Sequence, residues 1–270
     1  MVNGNRLKQT LNLMHQEKRV SITELSQRFN VSIATARRDL DWLAREGKVQ
    51  RVHGGAILIE KAPPEPPILQ RSFEQMNEKA HIGEKAASLI REGETVFLGS
   101  GTTVLEAARR LPYFQNLTVI TNSLPVVNVL ATRTDINLVI LGGIFRHSEY
   151  TAYGHFAEQA LAELHADKVI FGIRAICNGP GLTNDFIPEV QTDRAILKIG
   201  REVIILADHT KFNAISIATV APLSWVSKII TDNQTPAEVI DEMTQLGIEM
   251  IVVDCCAPLP NKPESNHETE

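Results

Sequence analysis

Apolar residues in the first sixty positions recur at helical spacing three times and then switch to alternation. Leu7, Leu11 and Met14 mark one amphipathic helix. Past Val20 and Ile22, Ser21 and Glu24 stand three apart, as a capping box requires, and open a second helix through Leu25 and Phe29 that Asn30 ends. In a third helix Ala36, Leu40 and Leu43 fall at i, i+4 and i+7, which turns them inward and leaves Thr35, Arg37 and Arg38 outward. Gly47 stops this helix. Positions 48–56 then alternate as a strand does, turn at Gly54-Gly55 and resume as Ile57-Leu58-Ile59. A capped helix, a tight turn, a basic-faced helix and a glycine hairpin make a winged helix-turn-helix, with Trp42 expected inside it.

Farther on, apolar strands alternate with helical stretches, the pattern of a parallel sheet. Strands are expected at 95–98, 117–121, 137–141, 168–173, 202–207, 228–231 and 249–253, and helices at 103–111, 125–131, 157–164, 190–200 and 236–246. The fold class is α/β, with a small winged helix-turn-helix ahead of a larger α/β unit. Between them Ala62-Pro63-Pro64-Glu65-Pro66-Pro67 removes backbone donors and biases the chain to an extended form. The expected organisation is a head at 1–60, a proline-rich linker at 61–77, an α/β body at 78–256 and a polar, mobile tail at 257–270.

Charge divides at the same place. The chain of 270 residues carries a formal charge of -5, yet its first sixty positions hold 10 Lys or Arg against 6 Asp or Glu, so the body is strongly acidic. A basic head on an acidic body suggests that the head alone meets phosphate. Hydrophobic residues at 43% exclude wholesale disorder. No apolar run reaches the roughly 18 residues of a membrane span, and the first residues lack a signal peptide's apolar stretch, so a cytoplasmic protein with no membrane partner is expected. Cys177, Cys255 and Cys256 form no ligand pattern, and His147, His155, His165 and His209 show no metal spacing. No metal or cofactor is expected.

On the head, a recognition helix would offer Thr35, Arg37 and Arg38 to base edges, with Ser32 or Thr35 holding a phosphate at the helix N-terminus. Arg51, His53 and Gly54 of the wing complete the expected contact set with double-stranded DNA. In the body, ligands of parallel sheets sit beyond the carboxyl ends of strands. There the first loop reads Gly99-Ser100-Gly101-Thr102-Thr103. Freed amides, hydroxyls and a helix start suit a phosphate, although such a loop reads equally as a plain turn. No Gly-Lys follows, so nucleotide hydrolysis is unsupported. Arg174, Asp208 and Lys211 follow later strands, favouring a pocket for a small, anionic, hydroxyl-rich ligand.

The run from Val31 through Thr35, Arg37 and Arg38 to Leu40, with Arg51-Val52-His53-Gly54-Gly55-Ala56, resembles the N-terminal domain of the DeoR family of bacterial transcription regulators. The segments Gly101-Thr102-Thr103, Thr121-Asn122-Ser123, Leu141-Gly142-Gly143, Gly181-Leu182-Thr183 and 206–212 are similar to that family's effector domain, which is related in fold to ribose-5-phosphate isomerase and CoA transferases. The resemblance implies a repressor of carbohydrate-metabolism genes that senses phosphorylated sugars or related metabolites. Ser100, Gly101, Thr102 and Thr103 would then hold the phosphate, with Asn122, Glu189, Asp208 and Lys211 along the sugar.

Some positions depart from the family's habit: Ala36 stands where Ile or Val is usual, Gly99 and Arg174-Ala175 where many members have Asp and Asp-Gly, and Asp193 where Lys is common. Arg174 either meets a second anionic group of the effector or pairs with Glu189 or Asp185. The rival reading is an enzyme, a sugar-phosphate isomerase or acyl-transfer relative, which needs a positioned carboxylate base such as Glu189. Missing acids at 99 and 174 weaken that catalytic set. A head with so small a charge excess makes few phosphate contacts alone, so a homo-oligomer on repeated half-sites is expected.

Overall fold

The computed structural model describes residues 4–52 and 54–259. His53 and most of the expected tail lie outside the described residues. The head begins with α1 (Gly4–Glu17), β1 (Arg19–Ser21), α2 (Ile22–Arg28) and α3 (Ile33–Arg45), and ends in the wing strands β2 (Val49–Val52) and β3 (Gly55–Leu58). The capping box forms: Glu24 N donates to Ser21 Oγ at 3.0 Å while the Glu24 carboxylate accepts from Ser21 N. Leu25, Ala36, Leu40, Leu43 and Val49 meet in one apolar core. The wing gains a third strand that periodicity did not indicate, because β1 pairs antiparallel with β3. Gly55 permits this approach, since a Cβ there would lie 2.2 Å from the Val20 carbonyl oxygen. Trp42 is a correction: it is 39% exposed, because it lies two residues, about 200° of helix, beyond Leu40 and so faces away from the core.

The 61–77 segment carries more structure than a spacer requires. The strand β4 (Glu60–Lys61) opens it, α4 (Ile68–Arg71) turns once, and α5 (Met76–Ser88) starts before its end. In the body follow β5 (Thr95–Leu98), α6 (Thr102–Arg109), β6 (Leu117–Thr121), α7 (Leu124–Leu130) and β7 (Ile136–Ile140). A hairpin, β8 (Ile144–Arg146) with β9 (Thr151–Tyr153), leads to α8 (His155–Leu161) and β10 (Ala166–Gly172). Then come β11 (Ala175–Cys177), β12 (Gly181–Asn184), α9 (Val190–Ile199), β13 (Gly200–Leu206), β14 (Ala214–Ile215) and β15 (Ala218–Ala221). The last elements are β16 (Lys228–Asp232), α10 (Ala237–Gln245) and β17 (Glu249–Val253).

All seven strands expected in the body lie in one parallel sheet of order β17-β16-β13-β10-β5-β6-β7. Both faces are covered, which is why these strands read as near-continuous apolar runs. Val96, Leu98 and Ile170 pack with Ile82, Val104 and Val126 from α5, α6 and α7. Phe97, Val169 and Phe171 face the other way, toward Leu161, Ile196 and Met243 from α8, α9 and α10. The order reverses between β5 and β10, so their carboxyl ends diverge into a crevice there.

Head and body touch through polar side chains. Gln50 and Asn178 both donate to the Glu242 carboxylate, and Arg19 pairs with Glu238 on the same helix. Cys177 is buried, its Sγ 3.3 Å from Gln50 Oε1, and burial pushes this thiol up to about 12, the state of an idle cysteine. No helix among the described residues is long and apolar enough to cross a membrane.

Candidate functional site

On the head, the α3 N-terminus is built by Ser32, whose Oγ accepts from Thr35 N at 3.2 Å and lies 2.9 Å from the Thr35 hydroxyl. Ser32, Arg37 and Arg38 are exposed and Thr35 half-buried, so all four share the outer face. Asp39 does not join them; it turns inward and binds Arg6 of α1. In the wing, Arg51 is held by Asp41 at 3.0 Å and by the Gly55 carbonyl, so it braces the hairpin. Gly54 is exposed at the turn with φ +78°, a conformation that favours glycine.

In the body, a cleft opens at the switch point between β5 and β10. Ser100, Gly101, Thr102 and Thr103 line it, and so do Arg174, Glu189 and Lys211. Gly101 takes φ +112° with open space beside its Cα, and α6 starts at the next residue, so the first amides of that helix are free of intrahelical acceptors. The hydroxyls of Ser100, Thr102 and Thr103 and the Lys211 ammonium have no hydrogen-bond or ion-pair partner among the described residues. Gly99 has a physical reason: a Cβ there would meet the Phe171 ring at 2.7 Å.

Two expected residues stay out of the cleft lining. Asn122 donates to the Ala152 carbonyl at 2.9 Å, tying β6 to β9. Asp208 is buried and caps the turn that presents Lys211, accepting from Thr210 N at 3.0 Å. Arg174 pairs with neither Glu189 nor Asp185. Its Nη2 donates to the Pro63 carbonyl, its Nη1 lies 3.8 Å from Glu65, and its Nε is buried without a partner. Glu189 is engaged by Arg146 and by the Thr151 hydroxyl, and Arg146 also lies over the Phe186 ring.

Residues that sequence reasoning did not assign to the site also line it: Glu65, Arg71, Lys79, Arg146, Glu149 and Asp193, the last noted only as a departure from the family. Lys79 had a legible signal, since it shares the buried face of α5 with Ile82 and Ala86 at i+3 and i+7. Burial lowers the Lys79 pKa from the usual lysine value, against the pull of Asp208. Burial likewise pushes Glu149 up to about 7, although Arg71 pairs with it. Asp193 is raised well above the ordinary aspartate range by burial and by the Glu189 charge. Among the described residues no three His, Cys, Asp or Glu converge as metal ligands. The cleft thus brings together buried cations, carboxylates and hydroxyls without a protein partner.

A family model for the DeoR-like helix-turn-helix domain matches residues 6–62, and one for the DeoR C terminal sensor domain matches residues 74–233. The chain belongs to the DeoR family. Curated DeoR relatives include the transcriptional repressor AccR of Agrobacterium fabrum, 34% identical over 83% of this chain and 87% of that one. Another is the glycerol-3-phosphate regulon repressor of Escherichia coli, 32% identical over 89% of this chain and 95% of that one. Among solved structures, ribose 5-phosphate isomerase A from Methanocaldococcus jannaschii covers 50% of this chain and 53% of its own at a TM-score of 0.36 and 18% identity. Likeness of that degree fixes neither ligand nor activity. As a DeoR-family member the chain is a DNA-binding transcription regulator and not an enzyme, which removes the isomerase alternative.

Proposed function

We propose that this regulator represses carbohydrate-metabolism genes and that a phosphorylated sugar or related metabolite in the cleft changes its affinity for operator DNA. Ser32, Thr35, Arg37 and Arg38 meet the major groove, and the wing, braced by Arg51 and turned at Gly54, lies against the backbone. Ser100, Gly101, Thr102, Thr103 and Lys211 take the phosphate, with Arg174 and Glu189 farther along the ligand. Asn122 and Asp208 act behind the site by fixing its loops. The single observation that carries this reading is the unpartnered set of three hydroxyls and one ammonium at the sheet's switch point, beside a helix start.

The protein works in the cytoplasm as a homo-oligomer, and the apolar residues around the β7 end of the sheet support the assembly. Leu124, Ile140, Ile144 and Phe145 are all exposed there. Its test is sedimentation of Ile140→Glu with Ile144→Glu, expected to yield a monomer.

The effector reading is tested by a thermal-shift screen of phosphorylated sugars and polyols. A ligand at 100 times its dissociation constant stabilises the native state by about 2.7 kcal/mol. Thr102→Asp places a negative charge where the phosphate sits and should remove the shift while the protein still binds DNA. An unchanged shift in Thr102→Asp moves the site elsewhere.

A further inference from the structure

The proline segment is tied to the cleft at several points. Arg174 donates to the Pro63 carbonyl and Arg71 Nε to the Pro66 carbonyl at 2.9 Å. Between them, Glu65 N donates to Asp185 Oδ2 at 3.0 Å, and the Glu65 carboxylate lies 3.0 Å from Arg71 Nη1. The same carboxylate lines the cleft with the Ser100 to Thr103 loop. One step before these prolines, Glu60 and Lys61 pair with Ala214 and Ile215, just past Lys211. Glu60 itself follows the wing strand β3 by two residues.

Glu65 satisfies this place only in part. Its carboxylate is 3.8 Å from Arg174 Nη1, too far for a hydrogen bond, and Arg174 Nε has no acceptor although the residue is 8% exposed. A guanidinium presents Nε and Nη as a fork that a free carboxylate fills with two parallel bonds. Glu65 is fixed between prolines and shared with Arg71, and Nη2 is given to the Pro63 carbonyl, so Nε is left without an acceptor. A buried cation with an unused donor, on a residue that lines the same cleft as the Ser100 to Thr103 loop, marks a second anion position.

We propose that the cleft takes a ligand with two anionic ends, a phosphate at Ser100 to Thr103 and a carboxylate at Arg174, and that Glu65 stands in for the second until the ligand arrives. The ligand class is then a phosphorylated sugar acid, and the inference rests on the effector reading above. Two carboxylates cannot share one buried arginine pair without strong repulsion, so the incoming one expels Glu65. Expulsion breaks the Glu65 carboxylate's tie to Arg71 and Arg174 and leaves the linker on its backbone bonds at Pro63, Glu65 and Pro66. The linker is thereby the two-state element joining cleft to head, because only the ligand-free state keeps the Glu65 side chain pinned beside the site.

The test uses the full chain and calorimetric titration with 6-phosphogluconate and glucitol 6-phosphate, which differ in whether the end far from the phosphate is a carboxylate or an alcohol. The wild type should bind 6-phosphogluconate at least tenfold more tightly. Glu65→Gln, nearly isosteric but uncharged, should tighten 6-phosphogluconate binding about tenfold further and leave glucitol 6-phosphate within twofold. Arg174→Met should erase the preference. Equal affinity for the two compounds in the wild type, or no gain in Glu65→Gln, overturns the proposal. Inorganic phosphate separates this from the underlying reading: phosphate binding lost in Thr102→Asp with no Glu65→Gln gain sinks only the carboxylate position. Phosphate binding unaffected by Thr102→Asp sinks the cradle, and the two-ended ligand with it.

Discussion

Head and cleft handle charge in opposite ways. The head keeps Arg37 and Arg38 in solvent and buries an apolar core behind them, whereas the cleft buries its charges: Arg71, Lys79, Glu149, Arg174 and Asp193 are each less than 9% exposed. A surface for a long polyanion needs only outward cations at helical spacing, which pay little desolvation and act additively. A pocket for one small anion needs donors preorganised away from water, and each buried cation there requires a counter-charge until the ligand comes. The head is therefore a local design. The cleft is a tertiary one, drawing residues from position 65 to position 211.

The sharpest break in the comparison is at Arg37 and Arg38. Each Ala substitution should weaken operator binding by about 1 to 3 kcal/mol, the worth of a good base contact, with the double variant near the sum. Folding stability should stay within about 0.5 kcal/mol, as for exposed sites. Mobility shift on DNA selected by the wild type, with a melting curve, checks both; normal affinity in the double variant removes α3 from the groove. Leu40→Ala gives the converse, since Leu40 is fully buried at the centre of the head core. It should cost about 2 to 5 kcal/mol of head stability by cavity formation, read by amide exchange in α1 to α3 with the body's exchange unchanged.

A pH dependence should appear in the cleft and not on the head. Burial pushes Glu149, which faces Arg71, Glu65 and Arg146, up to about 7, so it is increasingly neutral at lower pH and becomes a buried anion as pH rises. Sulfate, which does not titrate in this range, should therefore bind several-fold more weakly at pH 8 than at pH 6. Glu149→Gln should flatten the profile, and a persisting slope in that variant would assign it to another group. The smallest effect belongs to the contact between the two regions. Arg19 and Glu238 form an exposed pair, so Arg19→Gln should shift the melting transition by no more than about 1 kcal/mol. A larger loss would mean that the head is clamped rather than lightly docked.

What could be read from the sequence follows the same division. The inward and outward faces of the third helix were legible, Trp42 apart, because capping, periodicity and outward charge are local, and all seven sheet strands announced themselves as apolar runs. Short strands did not: β1, β8, β9 and β11 hold three residues each, too few for alternation to show. In the cleft, the loop at Ser100 to Thr103, Arg174, Glu189 and Lys211 were visible because they follow strands or carry the family resemblance. Arg71 and Glu149 were not, since nothing in their own segments marks them as buried; they become cleft residues only when α4 packs against the loop before β9. Glu65 was hidden for a related reason: proline-rich composition reads as a spacer, and only its contacts make it part of the site.

The account stands most directly on the coupling between cleft and head. Operator affinity should be measured with and without a saturating effector identified by thermal shift, in the wild type and in Thr102→Asp, and the effector's affinity measured for free and operator-bound protein. The account predicts a change of about 5- to 150-fold in the wild type, equal and reciprocal for the two ligands, and none in Thr102→Asp. An operator affinity that is the same at zero and saturating effector in the wild type would contradict it.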